Sequence, residues 1–202
     1  MQQLTAHART FERRCAERRE DFERFEAGQS PQALFITCSD SRVVPALITG
    51  AGPGDLFELR TAGNIVPEYS EQRPAGETAT IEYAVRVLGV RHIIVCGHSH
   101  CGAVGAVVRG DDLSGVPAVR GWLDSAAPEQ LREAGAAWAG AGPDLAEAVQ
   151  RHAVEQGERL RAYPCVREAM DAGRLTLDVW FYEVHTGAVR SHRPETGAFQ
   201  PL

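Results

Sequence analysis

The sequence has no excess of positive charge, no long apolar run and no paired set of cysteines. Its 202 residues carry a formal net charge of −6. The one arginine-dense stretch, Arg13-Arg14 to Arg18-Arg19, alternates with Glu12, Glu17, Glu20 and Asp21. That pattern describes a solvated helix face with i,i+4 charge pairs and not a nucleic-acid footprint. No stretch is apolar for long enough to cross a bilayer. The first residues lack the basic, apolar and small-residue segments of a secretory signal, so a cytoplasmic location is the expectation. Five cysteines, an odd number at uneven spacing, do not make a disulfide framework. No internal repeat or long linker is evident. The glycines at 50–54 do not form the phosphate-binding pattern expected after a strand.

What the chain does have is a pair of short segments rich in metal-type ligands. One is Cys38-Ser39-Asp40-Ser41-Arg42 and the other His98-Ser99-His100-Cys101. Two cysteines and one histidine can hold zinc with one coordination position left open, as catalytic sites require. His98 and Cys101 stand at i,i+3, which predicts a common face on a first helical turn. His100 adjoins Cys101 and points elsewhere. Two thiolates and a neutral imidazole balance a divalent cation, and zinc has no redox chemistry, so activating water is its natural task. Asp40 has two open roles. It can fill the fourth metal position, or accept a hydrogen bond from a metal-bound hydroxide. Arg42 can hold its carboxylate through two parallel hydrogen bonds and keep it ionised.

The hydrophobic pattern predicts where these segments sit. Residues 4–26 read as a helix with an apolar stripe through Leu4, Ala8, Phe11, Cys15, Phe22 and Phe25. Ala33 to Thr37 reads as a buried strand that delivers Cys38. Asp55 to Arg60 and His92 to Cys96 read as further strands, and Leu175 to Val184 as a last long one, with an edge strand over Ala188 to His192. Helices are expected at 43–48, at 75–88, at 99–109, at 145–160 and around Cys165 to Met170. Residues 111–145 are mixed, with Trp122, Leu123 and Trp138 as candidate packing residues. Cys96 reads as a small buried apolar residue at a strand end, and Cys15 and Cys165 as structural filling. Strand–helix alternation predicts an α/β domain with a mostly parallel central sheet flanked by helices. Such sheets present ligands at the C-terminal ends of their strands, where Cys38, His98 and Cys101 all fall. The expected division is an N-terminal helical arm at 1–28, a zinc-binding catalytic domain at 29–193 and a C-terminal tail at 194–202.

The chain resembles the β-class carbonic anhydrases. The resemblance rests on Cys38-x-Asp40-x-Arg42, on His98-x-x-Cys101, on Pro53-Gly54-Asp55-Leu56-Phe57 and on Ala62-Gly63-Asn64-Ile65-Val66-Pro67. Glu82-Tyr83-Ala84, Cys96-Gly97-His98 and the late segment Leu177 to Gly187 fit as well. It implies one Zn²⁺ per subunit and reversible hydration of carbon dioxide to bicarbonate and a proton, by attack of zinc-bound hydroxide. It also implies a substrate pocket made by Gln29, Phe57, Ala62, Tyr83 and Gly102, with Tyr83 contributed across a dimer interface. A homodimer is the implied minimum assembly, with tetramers or larger forms open, and the N-terminal helix packing on the partner subunit. Hydrolysis of carbonyl sulfide or carbon disulfide at the same metal, or noncatalytic zinc and bicarbonate binding, are the competing readings. Two positions depart from the family pattern. Thr61 stands where Asn is common, and Phe35 where members with a regulatory bicarbonate pocket place Trp. The second departure predicts a readily accessible metal site.

Overall fold

The computed structural model describes residues 1–126 and 145–202. Trp138 lies outside the described residues. The chain divides into two compact units, Met1–Ser30 and Pro31–Leu202.

The first unit is helical but not one helix. It contains α1 (Gln2–Arg9), α2 (Phe11–Ala16), α3 (Arg19–Glu23) and a 3-10 turn at Arg24–Ala27. The first break falls at Thr10, whose hydroxyl donates to the carbonyls of His7 (3.0 Å) and Ala6. Such back-bonding from a β-branched residue bends a helix. A second break falls at Arg18, which leaves helical geometry altogether. Phe11 and Phe22 then meet edge to face at 6.0 Å between ring centroids. On one straight helix eleven residues would separate them by about 16 Å. The apolar stripe read from the sequence is therefore a folded-back aromatic cluster, with Phe25 against Phe22 as its third member.

The second unit is built on a six-stranded sheet in the order β2-β1-β3-β4-β5-β6. β1 (Ala33–Cys38), β2 (Leu56–Thr61), β3 (His92–His98) and β4 (Thr176–Tyr182) are mutually parallel. β5 (Val189–Arg193) and β6 (Ala198–Pro201) extend the sheet antiparallel. Residues 194–202, expected as a tail, thus carry the edge strand β6. All six residues of β1 are buried, as befits a central parallel strand covered on both faces.

The described helices of this unit are α4 (Pro45–Thr49), α5 (Gly76–Glu82), α6 (Gly102–Arg109), α7 (Pro117–Ala126), α8 (Leu145–Arg161) and α9 (Pro164–Asp171). The 75–88 helix changes after Glu82 into a π turn over Tyr83–Val87, closed by the Leu88 N–H on the Tyr83 carbonyl. On one sheet face Leu34, Ile36, Ile93 and Val95 form a core with Ile81, Val85, Leu160, Tyr163 and Val166. On the other, Ala33, Phe35, Ile94 and Cys96 pack with Leu56, Trp180 and Tyr182. Leu123 of α7 is buried against Ile65.

Two glycines let α8 lie close to the sheet. A Cβ on Gly97 of β3 would stand 3.0 Å from Val149 Cγ1 and 3.2 Å from Ala153 Cβ. A Cβ on Gly157 of α8 would stand 2.8 Å from Val179 Cγ2. Among the described residues no helix is long and apolar enough to cross a membrane.

Candidate metal centre and its comparisons

Parallel pairing of β1 with β3 brings the two ligand-type segments together. Thr37 pairs with Cys96, so Cys38 ends β1 beside Gly97 and His98. Cys38, His98 and Cys101 are buried, and their ligand atoms all lie within 4.8 Å of one another. His98 and Cys101 do not share a helical turn, as the sequence spacing suggested. His98 is the last residue of β3, and α6 starts only at Gly102 with Cys101 as its extended N-cap. His100 between them takes a left-handed φ of 57°, which turns the chain sharply enough to aim both side chains inward. The His100 ring faces away, 6.2 Å from that of His185.

The donor atoms suit a cation. His98 Nδ1 lies 3.0 Å from the Ser99 carbonyl, so it carries the ring proton and leaves Nε2 as a bare lone pair. Nε2 is buried and has no hydrogen-bond partner among the described residues. The two sulfurs lie close enough to oppose each other's ionisation. The neighbouring Cys101 thiol above all, with His98 and the Gly63 and Asp40 amides beside it, holds the Cys38 thiol well below its ordinary value against the effect of burial. Cys101 is pushed up by its thiolate neighbour and by burial. A divalent ion held by both sulfurs would relieve that conflict. In a tetrahedral zinc site, S–S and S–N separations are roughly 3.5–3.8 Å, compatible with this cluster. Cys96, by contrast, is raised to about 12 by burial and is a core residue.

Asp40 and Arg42 stand at the rim. Arg42 donates to both carboxylate oxygens, Nε to Oδ1 at 2.9 Å and an Nη to Oδ2 at 2.7 Å, and its backbone N–H adds a bond to Oδ1. These bonds hold the Asp40 carboxyl well below the usual carboxylate range. The same guanidinium reaches the His100 carbonyl and so ties the two strand-end loops together. Asp40 Oδ2 remains 3.9 Å from His98 Nε2, beyond hydrogen-bond distance.

Sequence reasoning passed over Arg60. It donates to the carbonyls of Cys38, Asp40 and Val43 and threads the loop that carries Asp40. Its signal was an arginine in a half-buried strand, which needs several acceptors. The Thr61 hydroxyl donates to the Ile65 carbonyl and closes the following turn. Asn64 in that turn is fully buried, and neither of its amide atoms has a partner among the described residues.

The remaining expected pocket residues do not all gather at the cluster. Ala62 is exposed beside it on the turn after β2, and Gly102 opens α6 with an exposed backbone. Phe57 pairs with Leu34, four residues before Cys38, which places it about 13 Å back along the sheet. Tyr83 lies against Phe57 at 6.0 Å and is 44% exposed. Gln29 is an exposed residue of the first unit.

An α/β sheet with a Cys₂His cluster at its strand ends defines a metalloenzyme-type centre. The family model described as carbonic anhydrase matches residues 33–189. A carbonic anhydrase of Pseudomonas aeruginosa is 46% identical over 168 residues, covering 83% of this chain and 76% of that relative. Carbonic anhydrase 1 of Escherichia coli O157:H7 is 39% identical over 193 residues, covering 95% and 88%. The solved structure of the β-carbonic anhydrase CcaA superposes with a TM-score of 0.92 at 35% identity, covering 100% of this chain and 99% of that one. A structure of tetrameric β-carbonic anhydrases from Sordaria macrospora gives 0.73 at 26% identity, covering 98% and 96%. The chain belongs to the carbonic anhydrase family, in its β class. It is accordingly a lyase.

Proposed function

We propose that this chain converts carbon dioxide reversibly to bicarbonate and a proton, with one zinc ion held by Cys38 Sγ, His98 Nε2 and Cys101 Sγ. The observation that carries the reading is the bare, buried His98 Nε2, whose ligand atom lies within 4.8 Å of those of two buried cysteines. Zinc in such a set lowers the pKa of water toward 7 and so supplies a hydroxide nucleophile at ordinary pH.

The chain's own residues orient the reaction. Asp40, kept ionised by Arg42, can accept the one O–H bond of the nucleophile and so leave a lone pair facing substrate. Arg42 has a second effect, because it holds Asp40 back from the fourth ligand position. Carbon dioxide is small and uncharged, so it needs apolar walls and few directed polar contacts. Ala62 and the Gly102 N–H supply these from the same chain. Phe57, half-buried, and Tyr83, exposed, pair at a distance from their own cluster, which supports their serving a partner's site. Gln29 adds an amide toward bicarbonate. A homodimer is therefore the minimum assembly of this reading, with the N-terminal arm on the partner. Five unpaired cysteines suit a reducing cytoplasm.

The test is a pH-indicator assay of carbon dioxide hydration on zinc-loaded protein. Acceleration above buffer between roughly pH 7 and 9 is expected, where a zinc-acidified water is ionised. Full zinc occupancy without acceleration refutes the reading. Parallel assays with carbonyl sulfide and carbon disulfide separate the sulfur-substrate alternative.

A further inference from the structure

Helix α8 carries three polar side chains along one stripe, at His152, Gln156 and Arg159, and Tyr163 follows as the N-cap of α9. All four reach the backbone of the segment after β2. His152 Nε2 donates to the Gly63 carbonyl at 2.8 Å, and Gln156 Oε1 accepts the Val66 N–H at 2.8 Å. Arg159 donates to the Val66 carbonyl at 3.1 Å, and the Tyr163 hydroxyl to the Pro67 carbonyl at 2.7 Å. His152 and Gln156 are fully buried. A carbonyl can only accept, so His152 carries its proton on Nε2, and its Nδ1 faces the Gln156 amide at 3.5 Å.

Among the described residues, one hydrogen bond ties the segment so gripped to the cluster. The Gly63 N–H donates to Cys38 Sγ at 3.4 Å. Gly63 has φ +79°, and a Cβ there would stand 3.2 Å from Ala103 Cβ, so this peptide is both turned and closely packed. Trp122 Nε1 holds the preceding Ala62 carbonyl at 2.9 Å. We propose that His152 and Gln156 are positioning residues of the metal centre, which hold the Gly63 peptide so that its N–H stays on the Cys38 sulfur.

The inference rests on Cys38 being a metal ligand. An N–H bonded to a thiolate draws charge from the sulfur and fixes which lone pair faces the ion. Partners of this kind govern metal affinity although they never touch the metal. Here the effect passes from helix to peptide to sulfur, across a gap of 89 residues between His152 and Gly63.

Cobalt(II) substitution and zinc competition against a chromophoric chelator at fixed pH test it without reference to turnover. His152→Leu is expected to shift the thiolate-to-cobalt charge-transfer band and to weaken zinc retention by roughly 10- to 100-fold. His152→Gln places an amide N–H near the imidazole Nε2 position and is expected to restore both. Val166→Ala, a buried cavity variant on α9, is expected to lower stability and change neither. If His152→Leu does not fold, Gln156→Met carries the same expectation through Val66. Wild-type metal uptake with an unmoved band in the folded variant overturns the inference alone. So does a Val166→Ala protein that loses metal as His152→Leu does. Wild-type protein that takes up neither metal overturns the ligand reading and the inference together.

Discussion

His152 makes stability depend on pH in a way that can be isolated. Burial, aided by the nearby Arg159 charge, lowers its pKa from 6.5 to about 4, against the opposing pull of the Gly63 carbonyl and Cys38. The folded chain keeps the ring neutral while the unfolded chain protonates it. Stability is therefore fully present above pH 6.5 and is lost as pH falls through the folded value near 4. The complete loss is worth ~3 kcal/mol, and ~2 kcal/mol of it has gone by pH 5. For a chain of this size that is a fall in Tm of roughly 4–8 °C. Other groups titrate over the same range, so the comparison is between wild type and His152→Gln, which keeps a donor and cannot ionise. Both are unfolded in urea at pH 7.5 and pH 5, with chelator, reductant and a fixed protein concentration. Wild type should lose ~2 kcal/mol more than the variant between the two pH values. Equal losses refute the claim that His152 is held neutral by its buried site.

Three further outcomes follow from the cluster and its frame. Cys38→Ser replaces a soft thiolate with a hard oxygen, and bound zinc per chain and hydration rate should fall together; unchanged zinc content would sink the ligand assignment. Arg42→Gln frees Asp40 to close the 3.9 Å gap toward the cluster, so zinc should be retained while hydration is lost; a wild-type rate would show that Arg42 does not hold Asp40 back. Gly97→Ala forces a methyl against Val149 and Ala153, with an expected cost of about 1–3 kcal/mol and a Tm at least a few degrees lower by thermal denaturation.

The sequence declared most of the sheet. Apolar runs ending in Cys38 and Cys96-Gly97-His98 are read directly as buried strands, and their C-terminal ends are where a parallel sheet opens to ligands. The grouping of Cys38, His98 and Cys101 was legible because Cys, His and Cys at strand ends have few other uses. The local path between His98 and Cys101 was not, since an i,i+3 spacing suits a helical turn as well as a left-handed kink. The N-terminal stripe was misread as one helix because periodicity cannot sense the Thr10 bend or the phenylalanine cluster that rewards it. The polar row of α8 was invisible for another reason. His152 and Gln156 look like solvated helix positions until the fold lays a loop of unpaired carbonyls and amides across them.

The alignment of β1 on β3 has a consequence for how the chain is born. Cys38 and His98 lie sixty residues apart, and only parallel pairing with Thr37 opposite Cys96 brings their donors together. A slip of one residue displaces Cys38 by ~3.3 Å and turns its side chain to the opposite face. A cation seated by all three donors therefore acts as a gauge of strand alignment, rewarding one zipper setting over its neighbours. During synthesis no such reward exists until Cys101 has left the ribosome. On the proposed zinc reading, ion capture would then be a late, nonlocal event that favours the correct alignment at the centre of the sheet.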